Sequence, residues 1–160
     1  MRKILFLLSV IVSLAAADSA AAQKEIARFR TTHAETNGRD ITGIILNWGG
    51  YIAFYETDGG GFSMANVAPK SGTQSNGRIY DIRLEYSNQT VGGKTDVLTF
   101  KWAYSNTYDS RRGTCDCVLT LVHKPGGVAS MLEMVMERSE TLRYNGYMEG
   151  SVDMTGILRK

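Results

Sequence analysis

The chain's only two cysteines, Cys115 and Cys117, stand two residues apart. In an extended strand such residues face the same side with Cβ atoms about 6.5–7 Å apart, whereas a disulfide needs about 3.8 Å. A bridge between them therefore requires a turned or bulged backbone. The spacing favours a buried thiol pair or a strained bridge. The alternative is a soft-metal site for Cu(I), with Met136 opposite the thiols and His123 further along, because thiolate and thioether ligands select soft ions.

A second group of reactive side chains lies just before the cysteines, in the polar segment 105–112 (SNTYDSRR). Arg111 and Arg112 offer charge-assisted hydrogen bonds to a carboxylate or a sulfate, or they pair with Asp109 within the loop. In a barrel, such a loop lies at one rim, where functional side chains are often found. The segment is a candidate site for the head group of a ligand.

Histidines are scarce, since only His33 and His123 are present, and a Ser-His-Asp triad would have to use one of them. The chain contains no G-x-S-x-G, H-E-x-x-H, Walker or dinucleotide-binding motif. We therefore expect no cofactor, and an enzyme is the least supported class of function. An isomerase or cyclase that uses tyrosines and carboxylates inside a barrel is the form that such an enzyme would take.

These candidate residues are positioned by the central segment 97–123 (VLTFKWAYSNTYDSRRGTCDCVLTLVH). Bulky apolar residues alternate with polar or small ones on both sides of a polar loop, and a period of two is typical of half-buried strands. The segment is predicted to be a β-hairpin with a long loop. Its inward face would carry Leu98, Phe100, Trp102, Tyr104, Cys115, Cys117, Leu119 and Leu121.

The turn sequence Lys124-Pro125-Gly126-Gly127 predicts a further hairpin. A two-residue turn at Gly126-Gly127 would pair Leu119 with Met134 and Cys117 with Met136. Helix is the competing interpretation of 129–138, because Ser130 and Glu133 fit a capping box. We prefer a strand, because its apolar face then matches that of the neighbouring hairpin.

The remaining segments also alternate or are short apolar runs between turn signals. We expect a polar loop at 69–77, and we expect glycines in the last run to bend the strand as at a barrel corner. The additional predicted strands are 23–33, 41–46, 51–57, 62–66, 78–87 and 142–152.

Eight or nine short strands with hairpin-length connections predict an all-β fold. We expect a single antiparallel up-and-down meander closed into a barrel, since closure removes exposed sheet edges. A Greek-key sandwich is the second choice. An outer-membrane barrel fits less well, because the positions that would face lipid include Arg83, Glu85, Lys101 and Asp116. The expected shape resembles lipocalin-like and avidin-like barrels, whose sequence signatures are missing here.

The first 22 residues have the three parts of a secretory signal peptide. Arg2 and Lys3 precede an apolar run, which is followed by small residues ending in Ala20-Ala21-Ala22. We expect cleavage to leave one β-barrel domain, 23–160, that is secreted or periplasmic and has no integral membrane segment. Mass analysis of the exported protein would then find Gln23 at the N-terminus. The formal charge of +2 indicates no nucleic-acid partner.

Three functions are compatible with such a barrel. The preferred one is the binding of a small apolar or amphipathic ligand in the barrel lumen, where Gly146 and Gly150 would leave space. The second is an interaction or assembly role through the loops without a small ligand, which an exposed apolar patch around Trp48 and Tyr51 would favour. The third is the isomerase or cyclase. The predicted ligand-binding residues are Trp102, Tyr104, Tyr144, Met148, Arg111 and Arg112.

Overall fold

The computed structural model describes residues 23–138 and 140–150. It confirms the all-β prediction, because these residues form one antiparallel sheet that closes into a barrel. The expected signal peptide, 1–22, lies outside the described residues. The strands are β1 (Gln23–Thr36), β2 (Arg39–Asp40), β3 (Tyr51–Thr57), β4 (Phe62–Ala68), β5 (Thr73–Thr90), β6 (Gly93–Asn106), β7 (Arg112–Lys124), β8 (Gly127–Met136) and β9 (Thr141–Gly150).

The barrel has the predicted up-and-down order. From β3 to β9 each strand pairs with the next one along the chain, and β1 pairs with both β3 and β9. Strand β2 has two residues and pairs only with the end of β1, so the other eight strands form the closed ring. Loops alternate between the two ends of such a barrel. The loops that follow β4, β6 and β8 therefore share one end, which we call the upper end.

The interior is filled by large apolar side chains, and Leu98, Phe100, Leu119 and Leu121, which the alternation predicted to face inward, are among them. Burial of a leucine- or phenylalanine-sized side chain contributes roughly 1.5–3 kcal/mol, so this layer accounts for most of the stabilisation of the ring. The bulkiest side chains that are almost completely inaccessible are Phe29, Phe54, Phe100, Ile52, Met64, Leu98, Leu119, Leu121, Leu132 and Met134.

The prediction of a strand at 41–46 is wrong, because the segment forms a short helix, α1 (Thr42–Asn47). Asp40 accepts a hydrogen bond from the backbone N–H of Thr42 at 2.8 Å and so favours a helical turn. Ile41 and Ile45, four residues apart, pack together against the barrel core.

The strand prediction for 129–138 is confirmed by β8, but the predicted register of its hairpin is wrong by two residues. Lys124 pairs with Gly127, so the turn residues are Pro125 and Gly126. The fixed φ of proline suits the first central position of a tight turn, which explains why the turn begins there. Because the shift is an even number of residues, the same side chains still face inward.

Strand β5 is longer than predicted at both ends. The segment 73–77, expected to belong to a polar loop, pairs with β4 and with β6. Gly77 allows this close pairing, since a Cβ there would lie 1.8 Å from the carbonyl oxygen of Ala103. The segment was predicted to be a loop because its side chains are polar, but its backbone pairs with the neighbouring strands on both sides.

Gly146 and Gly150 do not leave the lumen space that the sequence suggested. A Cβ on Gly146 would lie 1.9 Å from the carbonyl oxygen of Arg30, and one on Gly150 would lie 2.6 Å from that of Ile26. Both glycines instead let the backbone of β1 approach β9 closely where the barrel closes.

Among the described residues, no helix has the length and apolar character needed to cross a membrane.

We predict that Leu119→Ala lowers the free energy of unfolding by about 2–5 kcal/mol, because Leu119 is completely buried opposite Leu132 and its truncation leaves a cavity. Denaturant unfolding measures the change. Val135→Ala in the same hairpin is the control, since Val135 is 37% exposed and should cost far less. Equal, small losses in both variants would show that this strand face is not in the core.

Candidate functional site

The upper end of the barrel contains an open cavity of about 670 Å³. Its walls come from the ends of β4, β6 and β8, the starts of β5, β7 and β9, and the loops after β6 and β8. The cavity therefore lies where the predicted rim loop, 105–112, meets the barrel interior. Trp102, Tyr104, Arg111 and Arg112 all line it, so four of the six predicted ligand-binding residues are brought together.

Two aromatic rings form the apolar part of the cavity. Trp102 and Tyr104 follow each other on the inward face of β6, with ring centroids 5.1 Å apart. The indole N–H of Trp102 donates a hydrogen bond to the carbonyl oxygen of Met64 at 3.1 Å, which fixes the ring. Tyr104 packs over Gly113, where a Cβ would lie 2.8 Å from the tyrosine hydroxyl oxygen. The rings thus have one defined orientation toward the opening.

The charged part of the cavity consists of three arginines, Arg111, Arg112 and Arg138, and three carboxylates that each accept a hydrogen bond from within the protein. Asp109 accepts a hydrogen bond from the backbone N–H of Arg111 and faces its guanidinium at 3.4 Å. Glu137 accepts from the backbone N–H of Thr114 at 3.1 Å. Glu140 accepts from the hydroxyl of Thr36 at 3.2 Å. These hydrogen bonds hold the loops in place. The Arg111 side chain, although paired with Asp109, is 81% exposed, and Arg112 is exposed as well.

Tyr104 brings a hydroxyl donor into this setting. Burial, more than the neighbouring Cys115 and Glu137, raises the pKa of Tyr104. The hydroxyl therefore stays protonated at neutral pH and can donate a hydrogen bond to an acceptor in the cavity.

The other two predicted ligand-binding residues lie elsewhere. Tyr144 is buried behind the cavity wall, and its hydroxyl accepts a hydrogen bond from the side-chain amide of Asn66 at 3.2 Å. Met148 pairs with Phe29 and Val128 near the lower end of the barrel, away from the rim loop. Sequence alternation placed both side chains inward correctly but could not tell at which depth they lie.

Sequence reasoning missed several polar residues of the cavity wall, among them Asn66, Ser75 and Asn106. Each occupies an inward-facing position close to a strand end. A polar side chain at an inward position of a predicted strand is the signal that could have found Asn66. Ser75 was missed because its segment was predicted to be a loop, and Asn106 was predicted to belong to the rim loop 105–112 and not to β6.

Cys115 and Cys117 are free thiols on the inward face of β7, with sulfur atoms 3.7 Å apart. The backbone between them is regular strand paired on both sides, so it lacks the bulge that a bridge would require. The hydrogen bond with Cys115, followed by burial, raises the pKa of the Cys117 thiol. The structure therefore shows a buried dithiol next to the cavity.

His123, which the soft-metal hypothesis included, lies at the lower end of the barrel. Its Nε2 contacts the carboxylate of Asp96 at 3.1 Å, and Asp96 also binds the ammonium group of Lys94 and the hydroxyl of Ser87. The serine contacts the aspartate and not the imidazole, whereas a triad requires the base to contact the nucleophile. This cluster neutralises a buried carboxylate and does not match the arrangement of a hydrolase.

His33 has a structural environment as well. Its Nδ1 lies 2.9 Å from the hydroxyl oxygen of Thr42 and its Nε2 lies 2.9 Å from a carboxylate oxygen of Glu35. The imidazole thereby connects the start of α1 to β1. Over residues 23–138 and 140–150, no group of three or more His, Cys, Asp or Glu side chains is arranged to hold a metal ion.

We predict that Asp96→Asn removes an acid-sensitive part of the stability. Burial raises the pKa of Asp96, but hydrogen bonds from Ser87 and Lys94 and the charges of Lys94 and His123 outweigh it and hold the pKa below its usual value. A lowered pKa in the folded state stabilises the protein at neutral pH, and this contribution is lost as the pH falls through that value. Asp96→Asn should therefore cost about 1–3 kcal/mol at pH 7 and weaken the fall in stability below about pH 4.

Thermal or denaturant unfolding between pH 7 and pH 2.5 measures this effect. Asp116→Asn is the control, because the Asp116 side chain is 70% exposed on the outer face. An Asp96→Asn profile parallel to that of the wild type would contradict the prediction.

Comparison with protein-family models, curated proteins and solved structures gave no significant match.

Proposed function

We propose that the protein is an exported binding protein that holds a small amphipathic, anionic ligand in the cavity at the upper end of its barrel. The observation that carries the proposal is the arrangement of that cavity. A fixed pair of aromatic rings, Trp102 and Tyr104, forms its apolar part, and Arg111 and Arg112 stand at its exposed edge. Its volume of about 670 Å³ lies within the usual range of ligand pockets, about 300–1,000 Å³.

The division of the cavity determines which part of a ligand binds where. The apolar part of the ligand packs against Trp102, Tyr104 and the methionines that line the same wall, Met134 and Met136. The anionic head group remains at the opening, where guanidinium groups recognise carboxylate oxygens. Because the centre of the barrel is filled by side chains, the ligand is seated at the rim and does not traverse the lumen.

The test is a titration that follows the fluorescence of Trp102. We expect dodecanoate to change this fluorescence saturably in a Trp48→Phe background, which removes the chain's second indole. Arg111→Ala combined with Arg112→Ala should weaken dodecanoate by about tenfold or more, equivalent to about 1.4 kcal/mol, and should affect uncharged 1-dodecanol much less. A retinoid and a haem-like compound extend the panel.

Arg83→Ala is the matched control, because Arg83 is an exposed arginine on β5 beyond the part that pairs with β4. It should leave the affinity for dodecanoate unchanged. The proposal fails if no member of the panel gives a saturable signal, or if Arg83→Ala weakens dodecanoate as strongly as the double variant.

An interaction role without a small ligand is the second candidate, and one observation favours it. Three large apolar side chains at or just after α1 are about half exposed at the upper end, namely Ile44, Leu46 and Trp48. Exposed large apolar side chains that are close together in the chain often mark contact surfaces for another protein. Light scattering of the wild type and of Trp48→Ser with Leu46→Ser would show self-association through this surface if it is the relevant one.

A further inference from the structure

The inner wall of the barrel carries a group of four sulfur atoms, from Cys115 and Cys117 on β7 and Met134 and Met136 on β8. Cys115 is the cross-strand partner of Met136, and Cys117 is the partner of Met134. Directly opposed residues on one face have Cβ atoms only about 4.5–5.5 Å apart, so each thiol has a thioether within side-chain reach. The other neighbour of Cys115 in the sheet is Trp102.

The distance between the two thiols is suitable for a shared metal ion. Two metal–sulfur bonds of about 2.3 Å that meet near the tetrahedral angle place their sulfur atoms about 3.8 Å apart. The sulfur atoms of Cys115 and Cys117 are 3.7 Å apart. The two sulfur atoms are therefore already spaced so that both can bind one metal ion without movement of the backbone.

The site is buried but lies next to an opening. Each cysteine is 1% exposed. Met134, Met136 and Trp102, which flank the thiols in the sheet, all line the rim cavity. An ion that enters the cavity meets the thioethers first and the thiols behind them.

We propose that Cys115, Cys117 and Met136, assisted by Met134, bind one soft monovalent metal ion of the Cu(I) type at the base of the rim cavity. Sulfur-only donors select soft ions, whereas hard cations require oxygen ligands. Cysteine binds a metal ion as the thiolate, so both thiols release their protons to solvent when the ion binds, and neither sulfur nor metal changes its oxidation state. The complex of one monovalent cation with two thiolates carries one net negative charge. This inference goes beyond the proposed binding of an amphipathic anion and does not depend on Arg111 or Arg112.

The experiment is an anaerobic titration of the reduced protein with Cu(I) in competition with bathocuproine disulfonate. The expected result is one ion per chain after gel filtration, with quenching of Trp102 fluorescence in the Trp48→Phe background. Cys115→Ser and Cys117→Ser should each abolish retention of the ion. Met136→Leu should weaken binding about tenfold while preserving the volume of the side chain.

Met131→Leu is the matched control, since Met131 lies on the same strand but on its outer face, and it should bind Cu(I) like the wild type. If a serine variant does not fold, which circular dichroism would show, the comparison of Met136→Leu with Met131→Leu decides. The proposal is overturned if the wild type retains no Cu(I), if the serine variants retain it equally, if Met136→Leu binds as tightly as Met131→Leu, or if Zn²⁺ binds in preference to Cu(I).

Discussion

The pairing of β1 with β9 is the interaction on which the rest of the structure depends. The first residues of β1 pair with β3, and the strand then continues for most of its length along β9. This double pairing converts a meander with two open edges into a ring. Gly146 and Gly150 make the close approach of the two backbones feasible, and register shifts in β1 adjust its curvature. Closure brings the inward faces of all eight strands of the ring around one core.

Closure also separates the two ends of the barrel, and the ends differ chemically. The upper end holds the cavity, with aromatic rings below and arginines at the edge. The lower end holds the cluster in which Lys94, His123 and Ser87 satisfy the buried carboxylate of Asp96. The middle is filled by large apolar side chains, so nothing in the described core suggests a passage between the ends. The proposed binding function is therefore assigned to the upper end, where the aromatic rings and the arginines line one cavity.

The fold class could be predicted from the sequence because the alternation of apolar and polar residues indicates which face of a strand is buried. An error of an even number of residues in the pairing register leaves that face unchanged. The hairpin of β7 and β8 illustrates this, since its register differs from the prediction by two residues and its inward face is unchanged. Two features of the structure could not be predicted from the sequence. The helix α1 depends on the tertiary packing of Ile41 and Ile45, and the depth of Tyr144 and Met148 depends on the stagger of the strands around the ring. Alternation contains neither kind of information, so the candidate site was predicted in part.

The central claim is that ligand binding takes place at the upper end of a filled barrel. The most direct test is an NMR titration with dodecanoate of protein labelled with ¹³C at the methionine methyl groups. Met134 and Met136 line the cavity, Met148 reports on the lower end, and Met131 reports on the outer face. Our account predicts that the Met134 and Met136 signals shift saturably while those of Met131 and Met148 stay in place. Shifts at Met148 with Met134 and Met136 unmoved, or no shift at any of the four, would contradict it.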